Sequence, residues 1–403
     1  MGATRKHRDD PSRESLNAES AQGEAADRRS GNGQLSAEDC PQNAPGGDAD
    51  LHPFSKFKLR RIIYPVLIGL AVVVWLFMRE FDPAVFDGIN FTKWSVLWLL
   101  IAVLCMFGRD IGYIIRIKVL SGGELGWRQA FRIIMLWEFT SAVTPSAVGG
   151  TSLAILFVHK EGISVGRSSA IVMLTSFLDE MYFAVMFPLM LVIVGMSGLF
   201  DIPGAQGWIG TGLMTFALVG YGLKLAYLLV LSYGLFVNPR GLKWLLMKIF
   251  KLRPLRRWYR SMNVVGTDII NSSKEIRKES AGFWLKASAS TFMSWTSRYF
   301  VANALIVAFF AVSDHVLLFA RQLVMWIMML VMPTPGGSGF AEAIFSTYCA
   351  DLIEVDPALQ LSAAAMIAFL WRCVTYYPYL FAGAFIIPKW LGTKFGRNRK
   401  SKA

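Results

Sequence analysis

Long apolar runs separated by short polar segments make up most of the chain after residue 61. A helix needs about 20 apolar residues to cross the hydrocarbon core of a bilayer, so most of these runs are long enough to span a membrane. The pattern therefore predicts an all-α polytopic membrane protein. The runs lie at 62–78, 94–120, 168–194, 208–237, 283–312, 316–332 and 358–387.

Two segments rich in Pro and Gly interrupt this pattern. The first reads TPSAVGG (144–150) and follows a semi-apolar stretch at 127–143, whereas the second reads PTPGGSG (333–339). Each is followed by an apolar piece that ends near residue 158 or 349 and is too short to span alone. We expect both breaks to form re-entrant hairpins, which leaves about eight full spans in the chain.

The charges between the runs follow the order of the loops. Lys and Arg precede the first run, fill the segment 239–282 and end the chain at 391–403, whereas the segments near Asp201, Asp314 and 351–356 are acidic. Loops rich in Lys and Arg stay in the cytoplasm. The alternation therefore predicts that both chain termini are cytoplasmic.

Composition agrees with a membrane protein and argues against other classes. Of the 403 residues, 54% are hydrophobic and 17% are charged, although the net charge is +13. Soluble domains carry about 25% charge, and a nucleic-acid binder would collect its basic residues on one folded face. The chain has no C-x-x-C pair and no GxSxG, Walker A or HExxH motif. We therefore expect no nucleic acid, metal, cofactor or catalytic residue.

The composition divides the chain into three parts. Residues 1–55 hold six basic and ten acidic residues without a long apolar run, which predicts a disordered cytoplasmic tail. Residues 56–390 form the predicted transmembrane domain, and 391–403 form a basic cytoplasmic tail. Within the basic loop 239–282, the stretch 239–260 has apolar residues on one helical face, at 242, 245, 246, 249 and 250. It is either an interfacial helix attracted to anionic lipids or charge that only sets topology.

The two breaks occupy matching places in two halves of the domain. Arg109 lies 36 residues before Pro145. Arg298 lies 37 residues before Pro335. An odd number of predicted crossings separates the halves, so the repeat is expected to be inverted, and paired broken helices in inverted halves mark the binding sites of transporters. The two repeats cover about 94–195 and about 283–388.

Charged residues inside spans are costly and are functional candidates by default. Three arginines are candidates for binding an anionic group of a substrate, with structural ion pairing as the alternative: Arg109, Arg298 and Arg372. Backbone at the breaks would approach the same group, at Pro145, Gly149, Gly150, Pro335, Gly336, Gly337 and Gly339. Four acidic residues are candidates for coupling or gating: Glu138, Asp179, Glu180 and Glu342. We expect Arg116 and Lys118, with Lys224 as a further candidate, to extend toward the membrane surface instead.

Two segments carry a family resemblance. WEFTSAVTPSAVGG (137–150) and MPTPGGSGFAE (332–342) resemble the flippase-like transmembrane domain of lysylphosphatidylglycerol synthases, and the resemblance covers about residues 60–390. It implies a protein of the bacterial inner membrane that moves an anionic or aminoacylated phospholipid, or a polyprenyl-linked lipid, between leaflets. The chain lacks the cytosolic aminoacyl-transferase domain of the full synthases, so the resemblance does not imply lipid synthesis.

The residues and the resemblance together favour a lipid flippase that is not an enzyme. The expected partner is a membrane phospholipid whose head group lies between the two hairpin tips, and the oligomeric state is left open. The first alternative is a non-transporting membrane partner of a separate lipid-modifying or glycosyl-transferring enzyme, docked through the basic loop. The second alternative is a membrane-embedded enzyme that acts on a lipid-linked substrate.

Overall fold

The computed structural model describes most of the chain after residue 90, in one compact unit within 59–403. The predicted tail 1–55, nearly all of the predicted first span 62–78 and the tail from 396 lie outside the described residues, as do parts of both breaks. The described residues are 78, 84–85, 91–144, 147–202, 208–252, 256, 259, 263, 266–267, 270, 273–274, 276–329, 337 and 339–395.

The described residues are mostly helical, which confirms the predicted all-α class. The first half forms α1 (Lys93–Leu120), α2 (Trp127–Val143), α3 (Ala147–Lys160), α4 (Val165–Phe200), α5 (Trp208–Ser232) and α6 (Pro239–Ile249). The second half forms α7 (Ala281–Val307), α8 (His315–Met328), α9 (Phe340–Cys349), α10 (Gln360–Thr375) and α11 (Tyr377–Phe395). A π-helical turn (Tyr233–Val237) extends α5. Two short strands, β1 (Ala311–Val312) and β2 (Ile353–Glu354), pair antiparallel, with Ala311 opposite Glu354 and Val312 opposite Ile353.

Three helical segments in the described part are long and apolar enough to cross a membrane. They are Lys93–Leu120, Val165–Phe200 and Thr211–Val237, and they coincide with three of the predicted runs. With 28 residues, α1 is about 42 Å long, more than the thickness of the hydrocarbon core. The total of about eight spans and the inverted repeat stay predictions.

The outward faces of these helices are apolar. On α1, the large exposed side chains recur every three or four residues, at Val96, Leu100, Val103, Phe107 and Ile111. A water-soluble protein rarely exposes so long a contiguous apolar stripe. Lipid chains are the solvent that such a stripe matches, so the exposed surface agrees with a membrane location.

The predicted run 358–387 is not one helix. It divides between α10 and α11 at Tyr376, whose φ of −127° and ψ of −57° are not helical. The reason is Pro378, which has no N–H to donate and whose ring clashes with the carbonyl group four residues earlier. Proline is tolerated in the first turn of a helix, and Pro378 is the second residue of α11.

Helices α1 and α7 pack closely along their length. Small residues face each other across the contact: Gly108 lies opposite Ser297, and Gly112 lies opposite Ser290 and Ser294. A Cβ atom at Gly112 would lie 2.8 Å from the Ser290 carbonyl oxygen and would collide with the Ser294 hydroxyl. Small residues permit such close approach between membrane helices. The contact holds the charged residues of α1 beside those of α7.

Replacing Gly112 with Ala is expected to force α1 and α7 apart and to destabilise the fold by about 1–3 kcal/mol. Thermal unfolding of the purified protein in detergent measures the effect. The matched control is Gly222→Ala on α5, where an added Cβ meets nothing within 4 Å. Equal melting temperatures for the two variants would show that the close helix contact is unimportant for stability.

Candidate functional site

Most of the buried cations in the described helices pair with carboxylates. An isolated buried charge costs several kcal/mol, and a carboxylate partner with additional hydrogen bonds offsets most of that cost. The paired residues are Arg109 with Asp110 and Glu138, Arg116 with Asp179, Lys224 with Glu180, Arg321 with Asp351, and Arg372 with Glu342.

Arg109 lies at the centre of the largest of these clusters. Its side chain is 1% exposed, and its guanidinium group lies 2.9 Å from Asp110 and also pairs with Glu138 of α2. The hydroxyl group of Tyr379 on α11 donates to Asp110 at 2.8 Å. The rings of Tyr379 and Tyr113 lie 5.0 Å and 4.7 Å from the guanidinium carbon. One cation therefore serves two carboxylates, which gives this cluster an excess of negative charge when both are ionised.

Arg116, two turns further along α1, forms a second cluster with α4 and α7. Its Nη1 atom lies 2.5 Å from Asp179 and donates to the Thr291 hydroxyl at 3.3 Å. The indole N–H of Trp295 donates to the same carboxylate at 2.7 Å. The guanidinium group of Arg116 also lies 4.7 Å from the ring of Tyr113. Arg116 is 4% exposed, so the prediction that it extends to the membrane surface is wrong.

Glu180 faces a different neighbour from Asp179. Both of its carboxylate oxygens accept from the ammonium group of Lys224 on α5, at 3.0 Å and 2.9 Å. Lys224 is buried and lies 4.3 Å from the ring centre of Phe183. The alternative that Lys224 extends to the surface is therefore wrong, and the pair connects α4 to α5.

Arg298 on α7 differs from all of these cations. Its guanidinium carbon lies 4.2 Å from the ring centre of Trp326 and 5.8 Å from that of Trp295. It forms no ion pair with any carboxylate in the part of the chain that the structure describes. The side chain is half-buried and lies within electrostatic range of Arg109 and Glu138. A partly desolvated cation with aromatic neighbours but no counter-ion among the described residues is well suited to bind an anion from outside the protein.

Two buried donors in the same region also lack a partner. Neither Nε of Arg109 nor the hydroxyl group of Tyr299 makes a hydrogen bond within the described residues. Tyr299 lies within electrostatic range of Arg298. Buried polar atoms are normally hydrogen-bonded, so each one without a hydrogen bond needs an explanation, such as a functional role or a bound molecule. Oxygen atoms of a bound anionic group would supply acceptors.

The second break carries its own ion pair. Gly337 and Gly339 have φ angles of 69° and 84°, which glycine adopts at little cost. The N–H of Gly339, which caps α9, donates to Glu342 at 2.7 Å. Glu342 also accepts from Nε of Arg372 at 2.6 Å, and Arg372 lies 4.8 Å from the ring centre of Tyr376. The predicted substrate cation Arg372 and the predicted coupling residue Glu342 are thus each other's partners.

Of the first break, Thr144 and residues 147–150 are described. Gly149 and Gly150 lie in the first turn of α3. A Cβ at Gly150 would lie 3.1 Å from Cα of Ser141, so its small size permits α3 to pack on α2. Three of the predicted site residues lie outside the described residues: Pro145, Pro335 and Gly336.

A hydrogen bond joins the neighbourhoods of the two breaks. The hydroxyl group of Tyr376, at the junction of α10 and α11, donates to the carbonyl oxygen of Ala142 at 2.9 Å. Ala142 lies two residues before Thr144, where the first break begins. The ring of Tyr376 also faces Arg372, so one side chain contacts both halves of the candidate site.

The aromatic partners of the arginines are missing from the sequence predictions. They could have been found from helical spacing, because residues three or four apart share a face. Tyr113 follows Arg109 by four residues, and Trp295 precedes Arg298 by three. Trp326 gives no such signal, since it lies on another helix. Within the described residues, no three His, Cys, Asp or Glu side chains are arranged to hold a metal ion.

Comparison with known proteins supports the membrane assignment. The chain matches the family described as lysylphosphatidylglycerol synthase TM region over residues 62–383. It is 25% identical over 351 residues to a UPF0104 membrane protein of Archaeoglobus fulgidus, which covers 83% of this chain and 98% of that protein. No solved structure matches the chain. The matched range includes all of the charge clusters described above.

Proposed function

This chain belongs to the family of the lysylphosphatidylglycerol synthase transmembrane region, and from that premise we propose that it is a lipid flippase. It moves an anionic or aminoacylated phospholipid, or a polyprenyl-linked lipid, between the leaflets of the bacterial inner membrane. Both chain termini lie in the cytoplasm in this proposal. The lipid crosses without a chemical change, so the protein acts as a transporter and not as an enzyme.

The observation that carries the proposal is the unpaired guanidinium group of Arg298. A phosphate group of a lipid supplies the counter-ion that the described residues do not provide. Guanidinium binds phosphate with two parallel hydrogen bonds, and such charge-assisted bonds are strong. The rings of Trp295 and Trp326 stabilise the cation while no lipid is bound. The acyl chains stay in the bilayer along the apolar outer faces.

The paired charges have a structural role in this account. Three carboxylates each form an ion pair with a cation on another helix and so hold two helices together: Asp179, Glu180 and Glu342. Glu138 is the coupling candidate, because it shares one arginine with Asp110 and is 22% exposed. Transport is therefore passive or coupled to protons.

The lengths of α3 and α9 support re-entrant hairpins. They have 14 and 10 residues, which correspond to about 21 Å and about 15 Å of helix. Both are shorter than the hydrocarbon core of about 30 Å. Two short helices that follow matched breaks agree with an inverted repeat, and inverted repeats operate by alternating access to a central site.

A leaflet assay in proteoliposomes tests the proposal. Fluorescently labelled phosphatidylglycerol is placed in both leaflets, and a membrane-impermeant reductant bleaches the outer label. In empty vesicles about half of the label should be bleached, and in vesicles with the protein more than half. Labelled diacylglycerol, which is neutral, has no phosphate and crosses unaided, should be bleached to the same extent with and without the protein. If no anionic lipid moves faster than in empty vesicles, the flippase proposal fails and the alternative of a membrane partner of another enzyme is favoured. Release of a modified lipid by the protein alone would favour the enzyme.

A further inference from the structure

Helix α6 begins where a candidate membrane span ends. The segment Thr211–Val237 is long and apolar enough to cross a membrane, and only Asn238 separates it from α6. Asn238 caps the helix by accepting from the N–H of Gly241 at 2.8 Å. Leu242 is buried, and a Cβ at Gly234 would come within 2.6 Å of its side chain. The start of α6 is therefore fixed to the end of the span, at the depth of the lipid head groups.

The free face of α6 is basic and carries one tryptophan. Arg240, Trp244 and Lys248 recur every four residues on one side of α6, Lys251 follows two residues after the helix ends, and all four are exposed. Trp244 is 63% exposed, and the ammonium group of Lys248 lies 5.0 Å from its ring centre. We call these four residues the basic stripe.

Part of the apolar face of this helix is covered by the protein itself. Leu242 of that face packs against the π-helical turn. Leu245 and Leu246 are also partly buried. Ile249 of the apolar face stays 40% exposed, and the larger free surface of α6 is the basic stripe, so its binding energy comes mainly from charge.

The sequence that contains the stripe carries charge of one sign. Residues 239–267 contain eight Lys or Arg and no Asp or Glu. Such a stretch attracts anionic surfaces, and each near-surface cation strengthens binding to an anionic leaflet several-fold. Charge alone would only set topology, but an exposed tryptophan on the same stripe is typical of side chains in the head-group layer.

We infer that the basic stripe binds the anionic head groups of the leaflet that it meets, at a contact separate from Arg298. The occupant is the anionic bilayer surface itself. The inference rests on the position, exposure and charge of α6, and it does not depend on lipid transport.

Hydrogen–deuterium exchange of the full-length protein in lipid nanodiscs tests this inference. Peptides that cover α6 should exchange more slowly in discs containing phosphatidylglycerol than in discs of phosphatidylcholine alone, and high salt should remove the difference. Combining Lys248→Ala with Lys251→Ala should reduce the protection by about tenfold or more. Combining Lys248→Arg with Lys251→Arg should keep it. Lys286→Ala removes an exposed cation of α7 and is the matched control that should change nothing.

Several results would overturn the inference. Equal protection in both kinds of disc would mean that the stripe does not recognise anionic lipid. Protection by inorganic phosphate in phosphatidylcholine discs would indicate a site for a soluble anion instead. A loss of protection in the arginine variant, with normal thermal unfolding, would exclude a contact based on charge.

Discussion

Replacing Arg298 with Ala is expected to lower the rate of lipid movement by at least about 30-fold, since a desolvated charge pair is typically worth 2–5 kcal/mol. The folded protein should lose little stability. Arg298 has no carboxylate partner within the described residues, so its removal leaves no buried carboxylate behind. A leaflet assay and thermal unfolding on the same preparation separate the two effects.

The variant Arg298→Lys is the control for charge. Lysine keeps the positive charge but cannot form the two parallel bonds of guanidinium, so it should retain part of the activity. Unchanged transport in Arg298→Ala would contradict the account, because the account requires the cation of Arg298. A large loss of stability in Arg298→Ala would show instead that the residue has a structural partner.

Replacing Arg372 with Ala is expected to have the opposite profile. It leaves the carboxylate of Glu342 buried beside the start of α9, and breaking a buried pair from one side costs about 3–5 kcal/mol. The melting temperature and the yield of folded protein should fall sharply. Thermal unfolding in detergent and size-exclusion profiles measure both.

A second variant shows whether the ion pair is the cause. Combining Arg372→Met with Glu342→Gln removes both charges but keeps an oxygen that can accept from the N–H of Gly339. Neutral replacement of a whole buried pair is often tolerated, so stability should largely recover. A double variant that is as unstable as Arg372→Ala would place the loss in packing around Arg372 and not in the stranded carboxylate.

Secondary structure was largely predictable from the sequence because it depends on local patterns. The runs at 94–120 and 208–237 became α1 and α5 with its π-helical turn, since apolar length alone favours a helix in lipid. The break at Tyr376 was missed. Its signal, the proline two residues later, lies inside a run whose overall apolarity suggested one span.

The pairing of charges was less predictable because partners lie far apart in the sequence. Arg116 and Asp179 are 63 residues apart, and Glu180 pairs with Lys224 across 44 residues. A sequence shows which residues are charged but not which of them meet. Arg298 was one of three equal candidates from the sequence. The structure distinguishes it from Arg109 and Arg372, because those two arginines form ion pairs with carboxylates.

The most direct test of the central claim is the lipid that stays bound to the purified protein. Native mass spectrometry should find an anionic phospholipid on a protein in which Lys248→Ala and Lys251→Ala have removed the basic-stripe contact. Adding Arg298→Gln should remove that lipid, whereas adding Arg298→Lys should weaken its retention only in part. The same anionic lipid bound equally to the protein with and without Arg298→Gln would contradict the account.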